Sequence, residues 1–190
     1  LLAAGDEEKV EIYDTRTFRR TKVLADFDRA ISAAQFSADG TALYLISRAA
    51  TVYRYDTDSK ALRTLAHVYY DPDDQVPPPP IVDDQSGELW VVFDEDLARI
   101  NVRTGKVSLT KIDAKEQGGV FSGLVSSSSK YLLTVGTPAG EGSGSRIFWI
   151  DRVTMAADAV VSIEGEASSV CALANGDALV VSNPGGLVDG

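Results

Sequence analysis

Four short stretches of this chain end in the same turn, and that repetition restricts its fold more than any other feature. They are Val10-Glu11-Ile12-Tyr13-Asp14, Val52-Tyr53-Arg54-Tyr55-Asp56, Leu97-Ala98-Arg99-Ile100-Asn101 and Ile147-Phe148-Trp149-Ile150-Asp151. Each is five β-prone residues closing on Asp or Asn, and each is followed three residues on by Thr17, Ser59, Thr104 or Thr154. The closing residues lie 42, 45 and 50 positions apart. An Asx side chain accepts a backbone N–H two residues on, and a Ser or Thr hydroxyl closes the far side of a tight turn. Asp/Asn-x-x-Ser/Thr after a strand is therefore a hairpin device, and four copies at one period predict an array of like units.

A second set of turns sits between the first. Ser37-Ala38-Asp39-Gly40, Asp84-Gln85-Ser86-Gly87, Ser127-Ser128-Ser129-Lys130 and Ala174-Asn175-Gly176-Asp177 each precede an apolar stretch, and Leu1-Leu2-Ala3-Ala4-Gly5 reads as a fifth such stretch. Turn signals every 8–12 residues without a helical period indicate an all-β protein. One unit reads as four strands, a to d, over residues 31–36, 42–47, 51–55 and 61–65. Four strands repeated at this period make a β-propeller blade.

The residues also carry a family resemblance. Phe36-Ser37-Ala38-Asp39-Gly40 resembles the "F-S-P-D-G" hairpin of WD40 and YVTN-type propellers, and residues 52–57 and 147–151 resemble their strand ending in "W-D" or "I-D". The similarity spans nearly the whole chain. There is no Gly-His dipeptide and no Trp-Asp; Tyr or Ile precedes the closing Asx. The resemblance implies a propeller of 4–8 blades. The expected blade parts are residues 1–24, 31–65, 80–112, 120–162 and 168–190, giving three complete blades and two partial ones. Strand b is present at both ends, so the expectation is a segment of a ring of 6–8 blades rather than a ring closed on itself.

In such a fold the d-to-a and b-to-c connections share one face, and the a-b and c-d turns share the other. The first face then collects Asp6, Glu7, Glu8, Asp26, Asp28, Asp71, Asp73, Asp74, Asp94, Glu95, Asp96, Asp113, Glu116, Glu141, Glu164 and Glu166, against Lys9, Arg29, Arg48, Lys115 and Arg146. The second holds Arg16, Arg19, Arg20, Lys22, Lys60, Arg63, Arg103, Lys106, Lys111, Lys130 and Arg152. Loops on a rigid scaffold concentrate binding residues, so an acidic face suits a basic protein partner or a cation; a merely solvated loop set in an acidic protein reads the same way. The expected partner-binding residues are Tyr69, Tyr70, Asp71, Asp73, Asp74, Asp94, Glu95 and Asp96. The longest d-to-a connection carries His67 and the first five of these before Pro77 to Pro80, and four prolines stiffen a chain into an extended form. Residues 136–145, with three alternating glycines, read as a flexible loop and not as a phosphate-binding one, because no Gly-Lys-Ser/Thr leads into a helix.

Other chemistry is restricted by what the sequence lacks. A net charge of -10 opposes a nucleic-acid partner, which clustered Lys and Arg would draw. No apolar run reaches the roughly 20 residues of a membrane helix, so membrane insertion is not expected. Cys171 is the only cysteine, which rules out an intrachain disulfide and reads as a small core residue. That is compatible with a reducing, cytoplasmic setting and with an exported one. His67 is the only histidine, so no multi-His metal site is built from this chain alone. Its place between Ala66 and Val68 favours a strand end or loop over a general base. Asp71, Asp73 and Asp74 lack the frame of an EF-hand, so neither a metal nor a cofactor is expected. Trp90 and Trp149 read as blade packing.

Three functions fit. One is a non-catalytic scaffold using its acidic loop face. The resemblance also admits a lactonase-like or lyase-like propeller enzyme, and a non-catalytic subunit of an extracytoplasmic oxidoreductase. The scaffold is the leading expectation, and no catalytic residue is assigned.

Overall fold

The computed structural model describes residues 2–5, 9–68, 81–83, 86–93, 96–111, 119–126, 131–138, 144–163, 166–172 and 178–183. Every regular element among them is a strand, and the strands pair antiparallel. The first sheet is β1 (Leu2–Gly5), β2 (Val10–Asp14) and β3 (Arg19–Leu24), in that order. A four-stranded sheet follows: β4 (Ile31–Phe36), β5 (Ala42–Ser47), β6 (Thr51–Asp56) and β7 (Leu62–His67). The next holds β8 (Ile81–Asp83), β9 (Glu88–Phe93), β10 (Asp96–Asn101) and β11 (Val107–Lys111). A third four-stranded sheet holds β12 (Gly119–Ser126), β13 (Tyr131–Pro138), β14 (Ser145–Asp151) and β15 (Ala157–Ile163); β16 (Glu166–Ala172) pairs with β17 (Ala178–Asn183). Each sheet is an up-and-down meander, as expected of propeller blades.

The chain divides into two compact units. One comprises Leu1–Val91 with Ala98–Ser108, the other Val92–Leu97 with Leu109–Gly190. In the first unit, β5 is buried along its whole length, which explains its unbroken Ala-Leu-Tyr-Leu-Ile run. A strand covered on both faces has no reason to alternate. At the opposite extreme, β3 is exposed at every position but Leu24. Val10, Ile12 and Leu24 of the first sheet share a core with Leu43, Leu45, Tyr53 and Tyr55 of the second, and Phe27, Ile31, Phe36 and Leu62 pack against it. The second unit buries Leu132, Leu133, Val135, Ile147, Phe148 and Ile150.

The repeated turn adopts the geometry its sequence predicts. Asp14 Oδ1 accepts the N–H groups of Arg16 and Thr17 at 2.8 and 2.9 Å. Asp56, Asn101 and Asp151 accept the corresponding pairs at 3.2 and 2.8, 3.1 and 2.9, and 2.8 and 2.9 Å. The fifth residue of every copy (Phe18, Lys60, Gly105 and Met155) has φ between 53° and 72°.

Bulges recur as well, and strand a carries one in three sheets. The extra residue there is Ser32 in β4, Ser122 in β12 and Ser168 in β16, each followed by a small residue. Outer strands β3, β7 and β15 carry theirs at Thr21, Leu65 and Asp158. Ser32 Oγ donates to the Ile46 carbonyl and Thr21 Oγ1 to the Ile12 carbonyl, both at 3.0 Å. In both, the hydroxyl satisfies a carbonyl beside the disrupted register.

Candidate functional site

Both ends of the β4–β7 sheet are tied by hydrogen bonds, and the ties differ. At one end the β4–β5 turn closes through Ser37, whose Oγ accepts from Ala42 N–H at 2.9 Å and donates to Asp39 Oδ1 at 2.7 Å. Thr57, in the β6–β7 turn, donates from its N–H to Thr41 O at 2.9 Å and from Oγ1 to Gly40 O at 2.8 Å. The a-b and c-d turns therefore share one end of this blade, as the sequence reading required. Val102 N–H donates likewise to Gly87 O at 3.0 Å in the next sheet.

The other end gathers the chemistry. Asp28 lies in the β3–β4 connection, Ser47 ends β5, Thr51 starts β6 and His67 ends β7. Thr51 Oγ1 donates to Asp28 Oδ2 and lies 3.0 Å from His67 Nδ1. Asp28 N–H donates to the Tyr53 hydroxyl at 3.0 Å, and the Phe27 ring meets Tyr53 edge-on at 5.2 Å. Burial alone pushes the Asp28 carboxyl up, but hydrogen bonds from Thr51, Ser47, Tyr53 and the Arg29 N–H outweigh it and hold it below the ordinary carboxylate value. Backbone bonds tie the same end: Arg48 N–H to Ala30 O at 2.8 Å and Val68 N–H to Ala50 O at 3.0 Å.

The direction of these bonds limits what the cluster can do. Thr51 has a single hydroxyl hydrogen, and it goes to Asp28. The His67 bond to the same oxygen must then be donated by Nδ1–H, which turns Nε2 away from Thr51. A nucleophilic hydroxyl needs the reverse, with imidazole accepting its proton. The Asp28 carboxylate is engaged by the Thr51 hydroxyl, and its backbone N–H by the Tyr53 hydroxyl. This arrangement pins a connection to three strands. The sequence reading placed His67 at a strand end or in the connection after strand d; it is the last residue of β7, and that reading did not link it to Thr51, Asp28 or Tyr53. The readable signal was an Asp before strand a, a Thr opening strand c and a His closing strand d of one blade.

Of the expected partner-binding residues, Tyr69, Tyr70, Asp71, Asp73, Asp74, Asp94 and Glu95 lie outside the described residues, and Asp96 is the first residue of β10. Trp90 is buried in β9, with the Arg99 guanidinium 5.7 Å from its ring centroid. Among the described residues no group of three or more His, Cys, Asp or Glu side chains is placed to hold a metal ion. Among the described residues no helix is long and apolar enough to cross a membrane.

No family model and no curated protein matches the sequence. Solved structures do. The chain is similar to the β-propeller domain of Myceliophteria thermophila Cps50 (Swd1), with a TM-score of 0.71 and 16% identity over 92% of this chain and 56% of that one. It is also similar to Kuenenia stuttgartiensis hydrazine synthase, with a TM-score of 0.66 and 18% identity over 86% of this chain and 45% of that one. The fold is a β-propeller fold. This chain spans about half the length of either structure.

Proposed function

We propose that the chain is part of a WD40-like propeller that acts as a non-catalytic scaffold and docks a basic protein surface on its acidic connections. The observation that carries this reading is how firmly the chain is held up to Val68, the residue before its longest acidic connection. His67 is hydrogen-bonded to Thr51 and Val68 N–H to Ala50 O, so residues 69–74, Tyr-Tyr-Asp-Pro-Asp-Asp, follow directly from an anchored point. An anchored base lowers the ordering cost of presenting a loop to a partner. The direction of the Thr51–His67 bond supports a structural role for this end over a hydrolytic one.

Co-purification from native extract identifies the partner. Reversing charge at Asp71, Asp73 and Asp74 is then expected to weaken binding about tenfold at low salt, with less effect at high salt. Reversal at Asp58, in the β6–β7 turn at the other end of the blade, serves as the control. Equal losses from both sets, or none from the first, would reject the acidic connections as the docking surface.

A further inference from the structure

The outermost strand of the first sheet presents a surface that neither the fold nor the acidic connections account for. Phe18 is 83% exposed at the tip of the β2–β3 hairpin. Its turn requires only a residue that tolerates positive φ, and the equivalent positions hold Lys60, Gly105 and Met155. A bulky aromatic is among the residues least suited to that backbone, and here it is left in water. Beside it, Arg16, Arg19, Arg20 and Lys22 are all exposed. Arg20 pairs with Glu11, which also accepts from the Tyr13 hydroxyl, and the Asp14 carboxylate is taken by the turn N–H groups. Arg19 and Lys22 form no ion pair among the described residues. Val23, 37% exposed, continues the apolar component along β3.

Cations on an outer strand often serve only to stop edge-to-edge aggregation. That explanation would apply equally to the outer strands of other blades, yet β7 and β11 carry one cation each, Arg63 and Lys111, and β15 none, against Arg19, Arg20 and Lys22 on β3. The bulge at Thr21 already blunts the β3 edge, so its cations are surplus to that task.

We propose that the β2–β3 hairpin is a docking site for an extended acidic peptide segment carrying an apolar residue. Charge complementarity sets the class. The hairpin concentrates four cations, Arg16, Arg19, Arg20 and Lys22, within seven residues of a chain whose net charge is -10, so it draws an acidic partner that the acidic connections repel. The six residues of β3 span about 20 Å, a length matched by an extended peptide of similar residue count. Recognition runs through side chains, with Phe18 receiving the apolar residue.

The test titrates the whole chain into a labelled eight-residue peptide, Asp-Glu-Phe-Glu-Glu-Leu-Asp-Glu, and follows fluorescence anisotropy. A Lys-substituted peptide, a single-stranded oligonucleotide and anionic phospholipid vesicles are run in parallel. The acidic peptide is expected to bind at low salt, and R19E/K22E to weaken it about tenfold. F18G keeps the backbone conformation and is expected to weaken binding about threefold without lowering the melting temperature. R103E/K106E, in the equivalent β10–β11 turn, is expected to leave binding unchanged. The proposal is overturned if the acidic peptide does not bind, if R19E/K22E binds as the parent does, or if oligonucleotide or vesicles use these residues more tightly than the peptide.

Discussion

Gly105 and Met155 occupy the same place in two copies of one turn, at φ of 72° and 62°. The left-handed region costs a residue with a Cβ about 1–2 kcal/mol, and glycine avoids that cost. Met155→Gly is therefore expected to raise the unfolding free energy by about 0.5–1 kcal/mol, the backbone relief exceeding glycine's extra chain entropy. Gly105→Ala carries two penalties. Its Cβ would meet the backflank of another blade, 2.2 Å from the Leu65 carbonyl oxygen, which cannot yield as a flexible side chain does. A loss of about 3 kcal/mol is expected from strain and overpacking together. Chemical denaturation of the two variants checks both signs. Sequence reading located all four turns through Asx-x-x-Ser/Thr, but it did not read the fifth position, because Phe, Lys and Met give no sign of positive φ.

Blade elements are fixed by hydrogen bonds that cross several strands, and the Asp28 cluster is the clearest case. Thr51→Val removes the hydroxyl while keeping its shape, taking one hydrogen-bond partner from each of Asp28 and His67, which are themselves exposed and can turn to water. A loss of about 1 kcal/mol is expected in a denaturant titration. The same cluster sets a pH dependence. Hydrogen bonding lowers the carboxyls of Asp14, Asp39 and Asp56, and Asp28 is lowered despite its desolvation. An unfolded carboxylate therefore takes up its proton first as the pH falls. The stabilisation is complete above about pH 4 and is lost progressively below it. Melting temperature is expected to hold between about pH 7 and pH 5 and to decline below about pH 4, less steeply in Thr51→Val. Strand order within the blade was legible from turn spacing: β4 and β5 fall on residues 31–36 and 42–47 as read. Strand d was read at residues 61–65 but runs from Leu62 to His67. The bulge at Leu65 shifts the pairing by one, which no alternation pattern reveals. The cluster itself was hidden because its members are 16 and 23 residues apart, so only the register brings them together.

At the scale of the whole molecule, charge acts on folding and on docking in opposite directions. A net charge of -10 disfavours the compact state through self-repulsion. The ion pairs Arg20–Glu11, Arg54–Asp56 and Arg99–Glu88 are each partly exposed and contribute little. Raising salt from about 0.01 to 0.15 M shortens the screening length from about 30 to 8 Å, which weakens repulsion spread over the surface more than contacts within a blade. The melting temperature of the isolated chain is therefore expected to rise over that range. Docking on the acidic connections or on the β2–β3 hairpin depends on attraction between unlike charges, so both associations are expected to weaken over the same range. The two signs separate the effects in one series: binding that falls while the melting temperature rises is lost through screening at an intact surface. A melting temperature that falls with salt would instead mean that attractive pairs outweigh the net repulsion, and the acidic balance would then be part of what holds the blades together.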